Sequence, residues 1–520
     1  MSATTADLED ARTDTDVEHH EVIVVGAGFS GIGAAIKLDE AGIRDWLVLE
    51  AADGVGGTWH WNTYPGVAVD IPSFSYQFSF AQRTDWSRTY APGSELKRYA
   101  EDLVEAAGIR DRMRFGCLVE GAAWDEATTR WRVRLADGTE LTATYLLNAS
   151  GVLTTPKAPD IPGIEDFAGT TVHTARWDHD LDLTGKRVGV IGTGASAVQL
   201  IPEIAPVVDE LTVFQRTPIW CFPKPDAALP GPLRLAMRLP GVKQGLRLAS
   251  QAFVEVTFPI AAHFHSYVRI ASTMEHAGRL WLRSQVRDPE VREKLTPSYG
   301  VGCKRPSFHN DYLATYNLPQ VHLETDAITE VVPEGIRTRG SDGESLHELD
   351  VLVLATGFRV MEPDSLPTFP LVGADGGTVQ QFWAEHRVQA YQGVSVPGFP
   401  NFFTVFGPYG YIGGSYFHLI ETQVRHIVRC LEHARSTGAA RVEVTQKAND
   451  AYLASMLERR PTQVFWQESC TGANSYYFDQ HGDVGLRPGT TLGTMWASRT
   501  FPLDAYTFQP ARDREPAATG

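Results

Sequence analysis

The chain lacks most of what would mark a secreted, metal-binding or membrane-spanning protein. It holds five cysteines in 520 residues, Cys117, Cys221, Cys303, Cys430 and Cys470, widely scattered and without a CxxC pair. That arrangement indicates no disulfide framework, zinc site or dithiol redox centre, and it suits a reducing cytoplasm. No apolar run approaches the ~18 residues that would suggest a membrane-crossing helix. The opening MSATTADLEDARTDTDVEHH is acidic and has no basic start followed by an apolar core, so it reads as a disordered tail and not as a secretory signal. Base is also in deficit. A formal net charge of −17 argues against a nucleic-acid partner, although it leaves room for a local basic pocket.

What remains is an ordinary globular composition, 43% hydrophobic and 21% charged. The chain is too long for one core, so two or three domains are expected. Near the start, Glu21-Val-Ile-Val-Val25 is a β-rich strand that runs into Gly26-Ala-Gly28-Phe29-Ser-Gly31 and a helical segment. Strand, GxGxxG and helix in that order make a dinucleotide fingerprint: the glycines allow a tight turn and close approach, and the helix N-terminus faces a pyrophosphate. A second strand, Asp45 to Glu50, ends in an acid that can accept from a ribose 2′-hydroxyl and would repel a 2′-phosphate. This suits the ADP half of FAD.

The pattern recurs at Lys186-Arg-Val-Gly-Val-Ile191, followed by Gly192-Thr193-Gly194-Ala195-Ser196-Ala197-Val-Gln199, with the permitted alanine as third glycine. The next strand ends in Arg216-Thr217-Pro218, and Arg216 occupies the position that Glu50 holds in the first site. A guanidinium there binds an adenosine 2′-phosphate through charge-assisted hydrogen bonds. The contrast of acid and base predicts FAD in the first site and NADPH in the second. A hairpin, Trp131 to Leu135 and Glu140 to Tyr145, lies between them, and Asp350 to Phe358 is a further strand after the second site.

Between the two fingerprints stands Phe167-Ala-Gly169-Thr-Thr-Val-His173-Thr-Ala-Arg-Trp177-Asp178. This FxGxxxHxxxWD stretch resembles the fingerprint of the type I Baeyer–Villiger monooxygenases, whose aromatic-Asp ending separates them from neighbouring flavin monooxygenases and N-hydroxylases. A second family pattern, GGxWxxxxYPGxxxD, is matched from Gly56 through Gly57, Thr58 and Trp59 to Asp70. The resemblance spans roughly residues 20 to 500. It implies an α/β fold of two interleaved Rossmann-like dinucleotide-binding domains, one for FAD and one for NADP, with a helical insertion. The expected division is a disordered tail at 1–19, FAD binding by 20–155 and 383–508, NADP binding by 156–226 and 294–382, the insertion at 227–293 and a loose tail at 509–520.

The resemblance further implies that Asp70 is the carboxylate beside the flavin and Tyr76 an FAD contact. The arginine of the family's KR pair falls on Arg305, while Lys304 joins Arg216 at the 2′-phosphate. The implied reaction inserts one oxygen atom from O2 beside the carbonyl of a small ketone, giving an ester or lactone. A C4a-peroxyflavin is an anion and its ketone adduct an oxyanion, and a permanently charged guanidinium stabilises both. Asp70 would position that guanidinium. His173 and Trp177 are expected to hold an interdomain linker that lets the NADP domain move, and not to do chemistry.

Two rivals share the cofactors: a flavin monooxygenase that oxidises sulfur or nitrogen, and a non-enzymatic NADPH-sensing flavoprotein. Trp177-Asp178 and Arg305 count against the first, and Asp70 with Arg305 against the second. A disulfide reductase is excluded because no dithiol follows either strand. The insertion is helical in pattern, with Arg234, Arg238, Lys243 and Arg247 among apolar residues. It reads as a cap that buries its apolar face on the NADP domain, because Pro240 and Gly241 break the run; the alternative is a membrane-surface helix. The aromatic loop Phe406 to Phe417 is a candidate wall of the ketone pocket.

Overall fold

The computed structural model describes residues 17–510 except 269, 361, 363 and 474. Residues 1–16 and 511–520, where most of the two expected tails fall, lie outside the described residues. The inner ends of both tails are strand. Glu18–Val25 starts ahead of its apolar run because Glu18 and His19 pair in register with Leu141 and Thr142. Gln509 closes the strand Tyr506–Gln509 opposite Arg441.

Two parallel sheets dominate. In the first, Glu18–Val25 lies between Trp46–Leu49 and Glu140–Asn148, with Val24 opposite Val48 and Val25 opposite Asn148. The start of Glu140–Asn148 pairs with the antiparallel ribbon Arg130–Leu135, which continues to Val119–Asp125. Its end pairs instead with Phe402–Thr404, so the C-terminal part of the chain returns to the first nucleotide site. The second sheet runs Val321–Glu324, Glu210–Phe214, Arg187–Ile191, Val351–Leu354, Thr170–His173, all parallel. Central strands such as WLVL and VLVL are apolar at every position because both of their faces are covered.

Four expectations need correction. Leu366, Phe369, Leu371, Val379 and Trp383 share one core with Trp131 and Leu141, and Leu371–Val372 pairs with Ala122–Ala123. The chain therefore rejoins the first body well before residue 383, where apolar side chains are needed to cover the ribbon. The FxGxxxHxxxWD stretch is not a linker: Thr170–His173 is the edge strand of the second sheet, with His173 opposite Leu354.

Cys303 and Cys470 form a disulfide with their Cα atoms 5.1 Å apart, a proximity that sequence spacing over 167 residues does not reveal. The insertion is also oriented differently from the expected cap. Helix Val242–Glu255 turns polar residues inward onto the first body, where Arg247 donates to Gln77 O at 2.6 Å and Ser250 to Ser75 Oγ at 2.8 Å. The later helices Ile270–Gln285 and Pro289–Lys294 pack on the second body, through Leu282 and Val291.

Candidate functional site

Both fingerprints form strand–turn–helix units. Gly26 takes φ +103°, and a Cβ there would come 2.7 Å from Ala149 O. The buried carboxylate of Glu50 accepts from Ala27 N at 2.6 Å and Ala52 N at 2.8 Å, which fixes the acid at the strand end beside the turn. Gly57 lies directly on Gly28, where a Cβ would approach Gly28 Cα to 2.9 Å, so the two glycine segments meet. Thr58 and Trp59 open the short helix Thr58–Trp61 that follows. Trp59 stands edge-on to Tyr76 at 5.9 Å, and Tyr76 edge-on to Phe417 at 5.0 Å. Gly31 packs against the Gly26 carbonyl.

Phe29 does not face this cleft. Its ring is buried among Phe417, Tyr99 and Phe78, with centroids 4.6, 5.6 and 6.2 Å away, so only its backbone at the helix start is placed for a ligand. Apolar packing of a benzyl group outweighs contact with a polar pyrophosphate.

In the second unit, Gly192 takes φ +121° against Ala355. Gly194 caps helix Ala195–Ile204, and a Cβ on it would meet nothing within 4 Å, so the helix start is open. Thr193 Oγ1 donates to Thr217 O at 2.8 Å, tying the turn to the segment after Arg216. Ser196 reaches Tyr64. Gln199 is buried and fully engaged: its Oε1 accepts from Tyr64 Oη at 2.8 Å and its Nε2 donates to Ala68 O at 2.9 Å. It joins the second unit to the YPG segment of the first, so its side chain is not free for a nucleotide.

Arg216 is exposed, and Lys304 sits close enough to feel its charge. Burial and then Arg216 push the Lys304 ammonium down to about 8. Among the described residues neither has a carboxylate within ion-pair distance. Two neighbouring cations without a carboxylate partner leave positive charge there uncompensated.

Arg305 Nε donates to Asp70 Oδ2 at 2.8 Å, bringing together residues from the two ends of the pattern. Both are surrounded by protein yet keep 26% and 31% of their side-chain surface open, as groups lining a cleft do. Burial opposes the Asp70 charge, but Arg305 and then Lys224 outweigh it and hold the carboxyl below its ordinary range. Burial likewise opposes the Arg305 charge; the Asp70 carboxylate outweighs it and keeps the guanidinium protonated, with the Tyr411 and Tyr477 phenols nearby. Phe258 lies under the guanidinium at 5.8 Å.

The fingerprint between the units braces this arrangement. Phe167 packs beside Gly169, where a Cβ would press on its ring and on Asp350 O. His173 accepts from Ala175 N at 3.0 Å and lies 3.3 Å from Thr356 Oγ1, which in turn donates to Lys157 O. Trp177 packs on the second core, and Asp178 closes a turn by accepting from Asp180 N at 2.9 Å. On either side of them, Arg176 stacks on Trp61 at 4.0 Å, and His179 meets Thr63 at 2.8 Å.

Comparison with known proteins agrees with this geometry. Residues 23–229 match the family model described as pyridine nucleotide-disulphide oxidoreductase. A Baeyer–Villiger monooxygenase of Streptomyces coelicolor is 38% identical over 94% of this chain and 92% of its own length. The chain belongs to the Baeyer–Villiger monooxygenases. The match to the disulphide oxidoreductases reflects the shared nucleotide-binding fold, since this monooxygenase has no CxxC. An oxidised steroid monooxygenase bound to NADP superposes with a TM-score of 0.84 at 30% identity, covering 95% of this chain and all (100%) of that one. OTEMO in complex with FAD and NADP gives 0.84 at 28% identity, covering 94% and 99%.

Several residues of the monooxygenase site escaped the sequence reading. Lys224 is buried over the Tyr90 ring at 4.9 Å and adds positive charge toward Asp70. Tyr477 and Phe258 come from the C-terminal segment and the insertion, and neither lies in a motif. Tyr411 belongs to the aromatic loop already singled out. The loop's non-glycine residues Phe406 and Tyr409 take positive φ of 75° and 56°, a backbone cost tolerated where position matters.

Proposed function

We propose that this monooxygenase uses NADPH and oxygen to insert one oxygen atom beside the carbonyl of a small ketone, forming an ester or lactone. The first sheet's nucleotide unit would hold FAD, and the second's NADPH. The residues fit both groups. Glu50 stands at the ribose position of the first unit, the start of the second helix is open at Gly194, and Arg216 with Lys304 offers an unpaired cation pair. Bound FAD would supply the redox ring at which oxygen is activated, with hydride from NADPH.

The chain's own contribution rests on one observation, the Asp70–Arg305 pair in the cleft. Asp70 keeps one edge of the guanidinium occupied and fixes its direction. The remaining N–H donors of Arg305 are aimed by that contact and hold positive charge where oxygen transfer to a carbonyl develops negative charge. The tyrosines and Phe258 around it exclude water and give an apolar ketone a wall to lie against. His173, Trp177 and Asp178 act by positioning, through the strand and turn that carry them.

The test separates the two halves of the reaction. Arg305→Ala should still let NADPH bleach the bound flavin in anaerobic stopped-flow absorbance, while ester recovered by mass spectrometry disappears. A normal ester yield from that variant would overturn the assignment.

A further inference from the structure

We propose that the insertion and the helix Thr491–Thr500 together form a docking face for an anionic lipid bilayer. Two helices here leave large apolar side chains outward, where an ordinary surface helix is polar. Helix Val242–Glu255 turns Arg247 and Ser250 inward beside Leu246 and Val254, and leaves Leu248 73%, Phe253 45% and the following Val256 49% exposed. Helix Thr491–Thr500 buries Thr491, Thr494 and Ser498 and leaves Leu492 76% and Trp496 70% exposed. The two meet where Glu255 accepts from Thr491 N at 2.9 Å. Ahead of them, helix Gly231–Ala236 and its exit expose Leu235 and Leu239 beside Arg234 and Arg238. Single exposed leucines need no explanation, but large apolar groups gathered on neighbouring helices do.

Charge decides the occupant. Apart from the inward Arg247, residues 227–268 carry Arg234, Arg238 and Lys243 against one acid, Glu255, in a chain whose net charge is −17. No acid stands between Asp483 and Asp504, a stretch that holds Arg487 and Arg499. A second copy docking through the same face would set base against base. An anionic bilayer matches both the basic rim and the leucines, and it accommodates Trp496 at headgroup depth. The face also stands at the outer end of the segment that reaches the cleft: Val256 is exposed, and Phe258, two residues on, lies under Arg305.

The test is flotation of the FAD-loaded protein with vesicles of phosphatidylcholine alone or of equimolar phosphatidylcholine and phosphatidylglycerol. Binding to the mixed vesicles only is expected, weakened by salt. Each surface base contributes about fivefold to such partitioning, so the triple variant Arg234→Gln, Arg238→Gln, Lys243→Gln should bind about a hundredfold less. Leu248→Asp with Trp496→Asp should abolish flotation while leaving flavin content, melting temperature and turnover of a water-soluble ketone unchanged. No flotation of the wild type, equal flotation with neutral vesicles, or flotation untouched by these substitutions would overturn the proposal. So would a concentration-dependent dimer that the Leu248 and Trp496 variants disperse, because the face would then belong to a second copy.

Discussion

The bond between Cys303 and Cys470 makes a prediction that two independent measurements check. It closes a loop of 167 residues. The chain-entropy estimate for a loop of that length is ~5 kcal/mol of stabilisation, an upper figure because reduced chains keep some structure. With unfolding entropy of ~2 cal/mol/K per residue over the whole chain, that free energy corresponds to about 5 °C in melting temperature. The double variant Cys303→Ser, Cys470→Ser should therefore melt about 5 °C lower than the unreduced wild type, and added reductant should bring the wild type to the same value. Oxygenation should survive at temperatures well below the melt. The loop bearing Arg305 is also held by Gly300 N donating to Ser469 O at 3.0 Å and by the ion pair to Asp70. Thiol titration in denaturant gives the second check. Cys117, Cys221 and Cys430 are free, so three thiols should react before reduction and five after it. Five thiols in unreduced protein, or a variant that melts with the wild type, would refute the cross-link.

Three further outcomes follow from the nucleotide sites. Lys304 carries its proton only below about 8, so kcat/KM for NADPH should fall as pH rises through that value while kcat/KM for NADH stays flat. A flat NADPH profile would remove Lys304 from the phosphate site. Arg216→Ala removes charge-assisted hydrogen bonds worth roughly 1.5–3 kcal/mol, so the preference for NADPH over NADH should drop by about 10- to 150-fold. In the same variant the pH window of Lys304 should move upward, because its repelling neighbour is gone; an unchanged preference would show that another group reads the phosphate. Glu50→Ala leaves the buried Ala27 and Ala52 N–H groups without their acceptor, at about 1–3 kcal/mol each. That variant should lose FAD on gel filtration and melt lower, and full flavin retention would show that the acid is dispensable.

The residues that were legible in the sequence are those whose roles are local. Strand, glycine turn and helix follow one another within about a dozen residues, and the side chain ending the next strand must lie beside the turn. Glu50 and Arg216 could therefore be placed by offset alone. The Asp70–Arg305 pair spans both bodies and was reachable only through the family resemblance. Periodicity shows that a helix has an apolar side but not where that side points. For Val242–Glu255 the direction is set by Gln77 O and Ser75, whose polar atoms attract Arg247 and Ser250, so that Leu248 points outward while Leu246 stays on the first core. For Phe29, the motif describes its backbone at the helix start, while its ring is captured by Phe417 far along the chain.

The FxGxxxHxxxWD stretch shows how a motif can be recognised correctly and still be given the wrong structure. Its residues are too polar and too irregularly spaced to announce a strand, and Thr170–His173 becomes one only because Val351–Leu354 offers an unpaired edge. That placement gives its side chains their positions. His173 ends the strand where both chain crossovers pass, contacting Thr356 on one and, through it, Lys157 on the other. The next residues reach the first body, Arg176 through Trp61 and His179 through Thr63. Burial, then Arg176, holds the His173 imidazole below its ordinary pKa, so it remains a neutral hydrogen-bonding brace near neutral pH. A neutral ring that accepts from Ala175 N and meets a hydroxyl supplies directional contacts without placing a further charge beside Arg176. These directional contacts at the sheet edge thus add to Gln199 on Tyr64 and Ala68 and to Arg305 on Asp70 in setting how the second body approaches the first.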